Sequence, residues 1–572
     1  MNIEENNQAN NKEAAFSRRQ WLGKVSIPAI AAVGASMVGV PALAADKDKA
    51  LDEKNRGARI FNIRDFGAKG DGKTLDTTAV QKAIDTCTQE RGGTVLVPAG
   101  DFVIGTVELK SHITLHLSTN GRLLGSPKRE DYSAGKEVPS GNGNIVLLYA
   151  ANAENITIEG RGTIDGNGKA FYTGQGDNTG PNSTGGGYFD RPHLLIFYKC
   201  NNLLLRDGFY TKSAYHCFRI LNCEQVNIDG VRIYNRVNRN NDGFHFNNCK
   251  YVHIVNCDVR CQDDACALFG SNQFVTITNC SFSTRWSIFR FGGGEAQNIA
   301  ISNCLIYETY GCPIKISTGK GRLENLTFSN IIMRNVTGPI GIGFSGNSGN
   351  GGGIAASGDK FFVRNISFNG IRASVVRQPV NHPDIPFDVK VFDGELNSCI
   401  TLNGVGDNYI ENVSFTDVHI SYAGGGTKEQ AAKRDIPQIS AEYFGVFKTA
   451  PVGPPAYGMY ARNVKGLTLQ NVRLEYDEPD ARPAMVFDNV HDCSVTGLTV
   501  QGSSGAESVL RFTRSSDVLL SATRVISPCP VFLKLEGSEN EGIMVDGGDL
   551  RKTAKLLAYE AGATDKAVRV RV

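Results

Sequence analysis

Three aspartates stand at a spacing that could do chemistry. Asp242 lies in Asn240-Asn241-Asp242-Gly243, and Asp263 and Asp264 lie in Gln262-Asp263-Asp264-Ala265, with a separation of 22 from position 242 to 264. Carboxyl groups brought close disfavour one another's charge, so at least one is held protonated and can donate while another, ionised, activates water. That division of labour suits acid-catalysed cleavage of a C–O bond such as a glycosidic one. A lone Asn-x-Asp-Gly or Asp-Asp is ordinary solvated turn sequence. Whether these form a site depends on the elements that carry them.

Those elements are announced by a recurring phrase: a polar or aromatic residue, then alternating aliphatic and polar residues, then Asn, Asp or Gly. It reads Asn155-Ile156-Thr157-Ile158-Glu159-Gly160 and begins again at Asn202, Gln225, Tyr251, Phe274, Asn298 and Asn325, with steps from Asn202 of 23, 26, 23, 24 and 27. A step of that size holds about three short strands and their turns, one coil of a parallel β-helix, whereas a four-stranded propeller blade needs ~40 residues or more. Alternation places Ile156, Ile158 and their equivalents on one buried face, and Asn256, Asn279, Asn303 and Asn330 are expected to stack as an amide ladder. A 22-residue offset is one coil, so Asp242 and Asp264 should lie a strand spacing apart, roughly 5 Å.

The phrase returns at Asn365, Asn412 and Gly466 at steps of 40, 47 and 54, then at Asp492, Asp517 and Gly542 at steps of 26, 25 and 25. The long steps leave room for a weak coil or for insertions around 337–361, 372–411 and 419–465, and in solenoids insertions gather on one face, often the binding face. The expected fold is all-β, a single-stranded right-handed parallel β-helix over residues 60–572. A capping helix from Asp76, with Val80, Ala83, Ile84 and Cys87 on one face, should cover its first coil and oppose end-to-end association.

Residues 1–44 read as an export signal. Ser17-Arg18-Arg19-Gln20-Trp21-Leu22 precedes an apolar run, Val25 to Val40, and the small-residue site Ala42-Leu43-Ala44, the pattern of a twin-arginine segment in a bacterium. Residues 45–59 are then a linker, and the mature protein is expected in the periplasm or outside the cell, as a monomer without stable membrane insertion. The 60 basic and 58 acidic residues, net +2, contain no basic block of the kind that binds nucleic acid. The cysteines number 14. Cys257, Cys280 and Cys304 recur at the same place in successive repeats, as do Cys200, Cys223 and Cys249, so they should stack as free buried thiols. No CxxC pairs point to zinc.

From Phe61 to Ile342 and beyond the chain resembles glycoside hydrolase family 28, the polygalacturonases. The landmarks are Phe66-Gly67-Ala68-Lys69-Gly70-Asp71-Gly72, Gly160-Arg161-Gly162-Thr163-Ile164-Asp165-Gly166, Arg191-Pro192, and Asn325-Leu326-Thr327-Phe328-Ser329-Asn330-Ile331. The family's Asn-Thr-Asp and Asp-Asp motifs fall on Asn240, Asp242, Asp263 and Asp264, with Asn241 in place of threonine. The resemblance implies an inverting glycoside hydrolase without metal or other cofactor. Asp264 would be the general acid, Asp242 and Asp263 would position water, and the partner would be an acidic, uronate-containing pectic polysaccharide. Two motifs differ. No glycine-flanked histidine follows one coil after Asp264, where the chain reads Thr284-Arg285-Trp286-Ser287, and the Arg-Ile-Lys clamp for a carboxylate becomes Pro313-Ile314-Lys315. Lys315 keeps one cation, Arg285 or Arg290 could restore the planar fork, Trp286 could stack on a sugar, and His245 could reach the cleft. Two alternatives share the fold. One is a polysaccharide lyase with Ca²⁺ on the acids and Lys315 or Arg285 as base; the other is a non-catalytic carbohydrate-binding solenoid.

Overall fold

The phrase is a strand followed by a bend. Its first residue repeatedly takes a left-handed conformation, at φ 53° in Asn202, 56° in Tyr251, 59° in Asn325 and 57° in Asn365, and Asn bears that conformation more cheaply than most residues. The next residues alternate inward and outward: Leu203 and Leu205, Val226 and Ile228, Val252 and Ile254 are buried. The computed structural model describes residues 57–571 except 142, 172–189, 320, 345–360, 388–390, 438–446 and 448–452. The export-type segment therefore lies outside the described residues.

Among the described residues of the unit Asn55–Val572, 39 strands join in parallel ladders. Each phrase pairs in register with the next: Leu203 with Val226, Val226 with Val252, Val252 with Val275, Val275 with Ile299, and Ile299 with Leu326. The chain is thus a right-handed parallel β-helix, and its inward residues form one apolar core from Phe61 to Val568.

The long steps hide no extra coil. Leu326 pairs directly with Ile366, Ile366 with Val413 and Val413 with Leu467, so each step is one coil plus an insertion. The insertions are narrower than the sequence suggests. Ile340–Phe344 is a regular strand inside the first, Phe361–Val375 and Ile400–Asn403 trim the second to 376–399, and Ile410–Gly424 and Met459–Glu478 trim the third.

The helix Thr77–Gln89 buries Val80, Ala83, Ile84 and Cys87 against the first coils. Asp76 precedes it, yet its carboxylate accepts from the N–H groups of Lys69 (2.7 Å) and Gly70 (2.9 Å) instead of capping the helix, tying it to the preceding turn. The amide ladder also runs elsewhere than expected. Asn325, Asn365 and Asn412 each donate to the Asn one coil earlier, at 3.0, 3.2 and 3.2 Å. Of the expected set Asn330 donates to Asn303 (3.1 Å), but Asn256 turns to Asp229 (2.9 Å). All fourteen cysteines are free and buried. Among the described residues no helix is long and apolar enough to cross a membrane.

Candidate active site

The strands Phe218–Leu221, Phe244–Asn247, Cys266–Phe269, Phe289–Gly292 and Ile314–Thr318 lie side by side on five successive coils. Phe244 pairs with Cys266, and the Gly243 N–H donates to the Asp264 carbonyl at 2.9 Å, so Asp242 and Asp264 are neighbours across two coils as their spacing predicts. Gly243 permits the approach, because a Cβ there would run into the Ala265 carbonyl and the Cys261 sulfur. Upstream, Asn241 knits the turn. Its Oδ1 accepts from the N–H groups of Val237 (3.0 Å) and Asn238 (2.7 Å), and its Nδ2 donates to the carbonyls of Ser213 (3.0 Å) and Tyr215 (2.8 Å). Four well-made bonds on one buried amide leave a rigid platform for Asp242.

The three aspartates occupy different surroundings. Asp242 is buried, with Oδ2 3.0 Å from Nδ1 of His245 and 3.7 Å from Nε2 of His216. Asp263 is half-buried; its Oδ1 accepts the Asp264 N–H at 2.9 Å and its Oδ2 accepts from Asn240 at 3.3 Å. Asn240, left-handed at φ 53°, also accepts from Arg191 at 3.0 Å. Asp264 is buried and its Oδ2 is paired with Arg290 at 2.9 Å. Its other oxygen, Oδ1, has no hydrogen-bond partner among the described residues. Burial, and then the nearby Asp264, push the carboxyl of Asp242 well above the usual carboxylate range. Burial and then Asp242 do the same to Asp263. Burial also lowers His245 to about 3 and His216 well below its usual value, so both rings are neutral. The rings stack at 4.7 Å, behind Asp242.

His216, Asp242 and His245 are the one set of ligand-type side chains among the described residues close enough to hold a metal ion. We read them as a hydrogen-bonded group. Bonds of ~2.0–2.1 Å in tetrahedral geometry keep ligand atoms ~3.3 Å or more apart, and the 3.0 Å Asp242–His245 separation is a hydrogen-bond distance.

The cations fall out differently from one another. In register, His245 is followed by Ala267, Arg290 and Lys315 along one outward row. Arg290 and Lys315 are therefore adjacent, at the place where a carboxylate clamp is expected. Arg290 lies over the half-buried ring of Phe269 (5.2 Å), and Lys315 is almost wholly buried with Nζ 5.6 Å from the Trp286 ring centre. Arg285, expected to contact substrate, points elsewhere. It is fully buried and bound in a two-pronged ion pair to Glu395, at 3.0 and 3.3 Å. It anchors the 376–399 insertion, and the same burial removes it as the base of a lyase. Trp286 is half-buried, with Phe392 edge-on at 5.6 Å. Its ring packs between the insertion and the row of cations. Ser287, whose backbone carbonyl accepts the Ala265 N–H at 2.8 Å, stands on the coil after Asp264, where the histidine is missing, and its hydroxyl is buried without a partner among the described residues.

Sequence reading placed an insertion around 372–411 but not the residues by which it packs against this site. Asp384 bonds Arg236 (2.9 Å) and Tyr234 (2.7 Å), Phe387 lies under Arg239 (5.0 Å), and Phe392 and Glu395 seat on Trp286 and Arg285. All four come from 376–399 and reach coils more than a hundred residues earlier. No spacing rule could pair them, although two acids and two aromatics in one inserted segment were a usable sign.

This arrangement can hold a proton, a carboxylate and a water beside a cationic row, the parts needed for hydrolysis of a charged sugar chain. Comparison with known proteins agrees with the fold and with the family resemblance. The chain is 27% identical over 301 residues to a probable polygalacturonase of Arabidopsis thaliana, covering 50% of this chain and 65% of that one. It is 28% identical over 314 residues to the exo-poly-alpha-D-galacturonosidase of Dickeya chrysanthemi, covering 49% and 51%. It thus spans about half to two thirds of the length of these relatives. A hyperthermoactive exopolygalacturonase from Thermotoga maritima shares the fold, with TM-score 0.50 at 19% identity over 75% of this chain and 96% of that one. Residues 87–383, about half of the chain, match the sequence profile of the glycosyl hydrolases family 28, and the chain belongs to that family.

Proposed function

We propose that the protein hydrolyses a uronate-containing pectic polysaccharide or oligosaccharide with inversion, in the periplasm or outside the cell. One observation carries the reading: two neighbouring coils bring Asp242, Asp263 and Asp264 together, with Oδ1 of Asp264 buried and unengaged. A buried acceptor left unbonded is costly, and such atoms are kept where a ligand completes them. In this reading Asp263, whose carboxyl burial and Asp242 push upward, and not the arginine-paired Asp264, protonates the departing glycosidic oxygen as the C1–O bond breaks. Water attacks C1 from the opposite side and gives its proton to Asp264, beside Asp242. Neutral His245 holds the Asp242 carboxyl in place, and Arg290 and Lys315 supply positive charge for a uronate.

Release of reducing ends from polygalacturonate and rhamnogalacturonan tests the proposal. Asp263→Asn keeps the shape and loses the proton, so kcat should fall by ~10²–10⁴. No release from any pectic substrate by the intact protein would sink the reading, and an unsaturated product absorbing in the ultraviolet would favour elimination instead.

A further inference from the structure

The outward face of the site strands is covered on either side of the carboxylates. On the phrase strands of the same coils the outward residues His253 and Thr276 are exposed, as alternation requires of a free sheet face. On the site strands the outward row is instead buried at both ends. Before the carboxylates it comprises Tyr149, Ile196 and Arg219, in register with His245. After them Lys315, Thr401, Tyr460 and Arg511 are buried in the same row. Between these stretches Asn240, Asp263, Phe269, Trp286 and Arg290 are half-buried and reach solvent.

Each cover is fastened through its backbone by arginines of that row. At the early end residues 133–145 fold back on themselves, with an antiparallel bridge between Ala134 and Ile145 and the Gly135 N–H donating to the Asn144 carbonyl at 2.9 Å. Val138 from this segment packs with Val146, Tyr149, Ile196 and Leu221 in an apolar cluster separate from the main core. Arg219 donates to the carbonyls of Gly143 and of Gly141 (2.9 Å). At the late end Arg462 donates to the carbonyls of Ile436 and Pro437, both at 2.8 Å, and Arg511 to those of Ala431 (2.6 Å) and Lys433 (3.1 Å). Phe447 stands edge-on to Tyr460 at 5.4 Å. Buried guanidinium–carbonyl bonds are charge-assisted and costly to break, so both covers belong to the resting structure.

We infer that the protein acts on chain ends and short oligosaccharides, and that residues 133–145, held by Arg219, set how many sugar units the site can seat. The inference rests on the proposed hydrolysis and names its substrate class. From the coil of Asn240 to that of Arg290 is two strand intervals, about 10 Å. A polysaccharide drawn lengthwise through the site would have to cross residues 133–145 on one side and 428–437 on the other. On a third side Phe392 lies against Trp286. A terminal unit enters this opening, while the rest of its chain stays outside and contributes no binding.

The experiment measures kcat/KM on oligogalacturonates of increasing length, and product sizes from polygalacturonate, for the unmodified protein and for a variant with residues 136–143 replaced by two glycines. In the unmodified protein kcat/KM should level off at a short chain length, and the polymer should release short saccharides from the first time points with little early loss of viscosity. In the shortened variant the levelling-off should shift by at least one sugar unit toward longer chains, because units seated on the uncovered coils add binding energy that lowers the barrier. Arg219→Gln should shift it in the same direction, and it serves if the shortened variant does not fold. The readout is the position of the levelling-off, which a change in overall rate does not move. An unmodified protein whose kcat/KM keeps rising with length, or which yields long products and an early collapse of viscosity, would overturn the inference and leave the hydrolysis standing. A folded variant that levels off where the unmodified protein does would overturn the role of residues 133–145. Cleavage of no pectic substrate would instead remove the hydrolase reading itself.

Discussion

At the scale of single residues the site stores free energy in its aspartates. Asp242 and Asp263 have folded-state pKa values raised by burial, so between the unfolded carboxylate value and the folded one the native protein binds more protons than the unfolded chain. Stability therefore falls as pH rises through that window. The histidines act at the other end. With His245 lowered to about 3, the unfolded chain binds the extra proton between that value and 6.5, and stability is lost as pH falls through the same range. Asp242→Asn should accordingly be more stable than the unmodified protein at neutral pH, by about 1 kcal/mol or more, while losing activity. Urea unfolding at pH 5 and 8 checks it: the gain must be larger at pH 8, and an equal gain at both would mean that packing, not charge, is responsible. The placing of Asp242 and Asp264 side by side was legible in the sequence because a one-coil offset puts them together. The fate of Arg285 was not, since a buried arginine and a cleft arginine look alike until the partner, Glu395, is placed.

Among the elements, the 376–399 insertion packs against the coils that carry the site. It belongs to a late coil but is tied to early ones by Glu395 on Arg285 and Asp384 on Arg236. The first pair is fully buried, and removing one member leaves an uncompensated charge, a loss of ~3–5 kcal/mol. Glu395→Gln should loosen the insertion more than the solenoid, because strand ladders on both sides of it remain intact. Limited trypsin digestion should then cut within 376–399 well before the core, with KM for the oligosaccharide rising. A digestion pattern unchanged from the unmodified protein would show that the pair does not anchor the wall. The Asp384–Arg236 tie is partly exposed and contributes less. Strands and their register were readable from the aliphatic alternation, whereas insertion edges were misjudged by up to a dozen residues, since Gly- and Ser-rich composition continues into strands such as Ile340–Phe344.

For the whole molecule, one core runs the length of the solenoid; every cysteine is buried and all but Cys312 lie in that core. Burial raises several of these thiols, among them Cys87 to about 11 and Cys399 to about 12, which suppresses the reactive thiolate. Native protein treated with iodoacetamide should therefore keep its mass, and denatured protein should gain 14 adducts without any reductant; fewer adducts would reveal disulfides. The sequence by itself determined the parallel β-helix, the coil length and the pairing of Asp242 with Asp264, because a repeat has only nearest-neighbour contacts and its spacing is its geometry. Tertiary structure alone decided which cations face the site, where Ser287 and Arg290 stand against Asp264, and which loop packs against it. Those contacts join residues from different coils and insertions, and no periodicity encodes them.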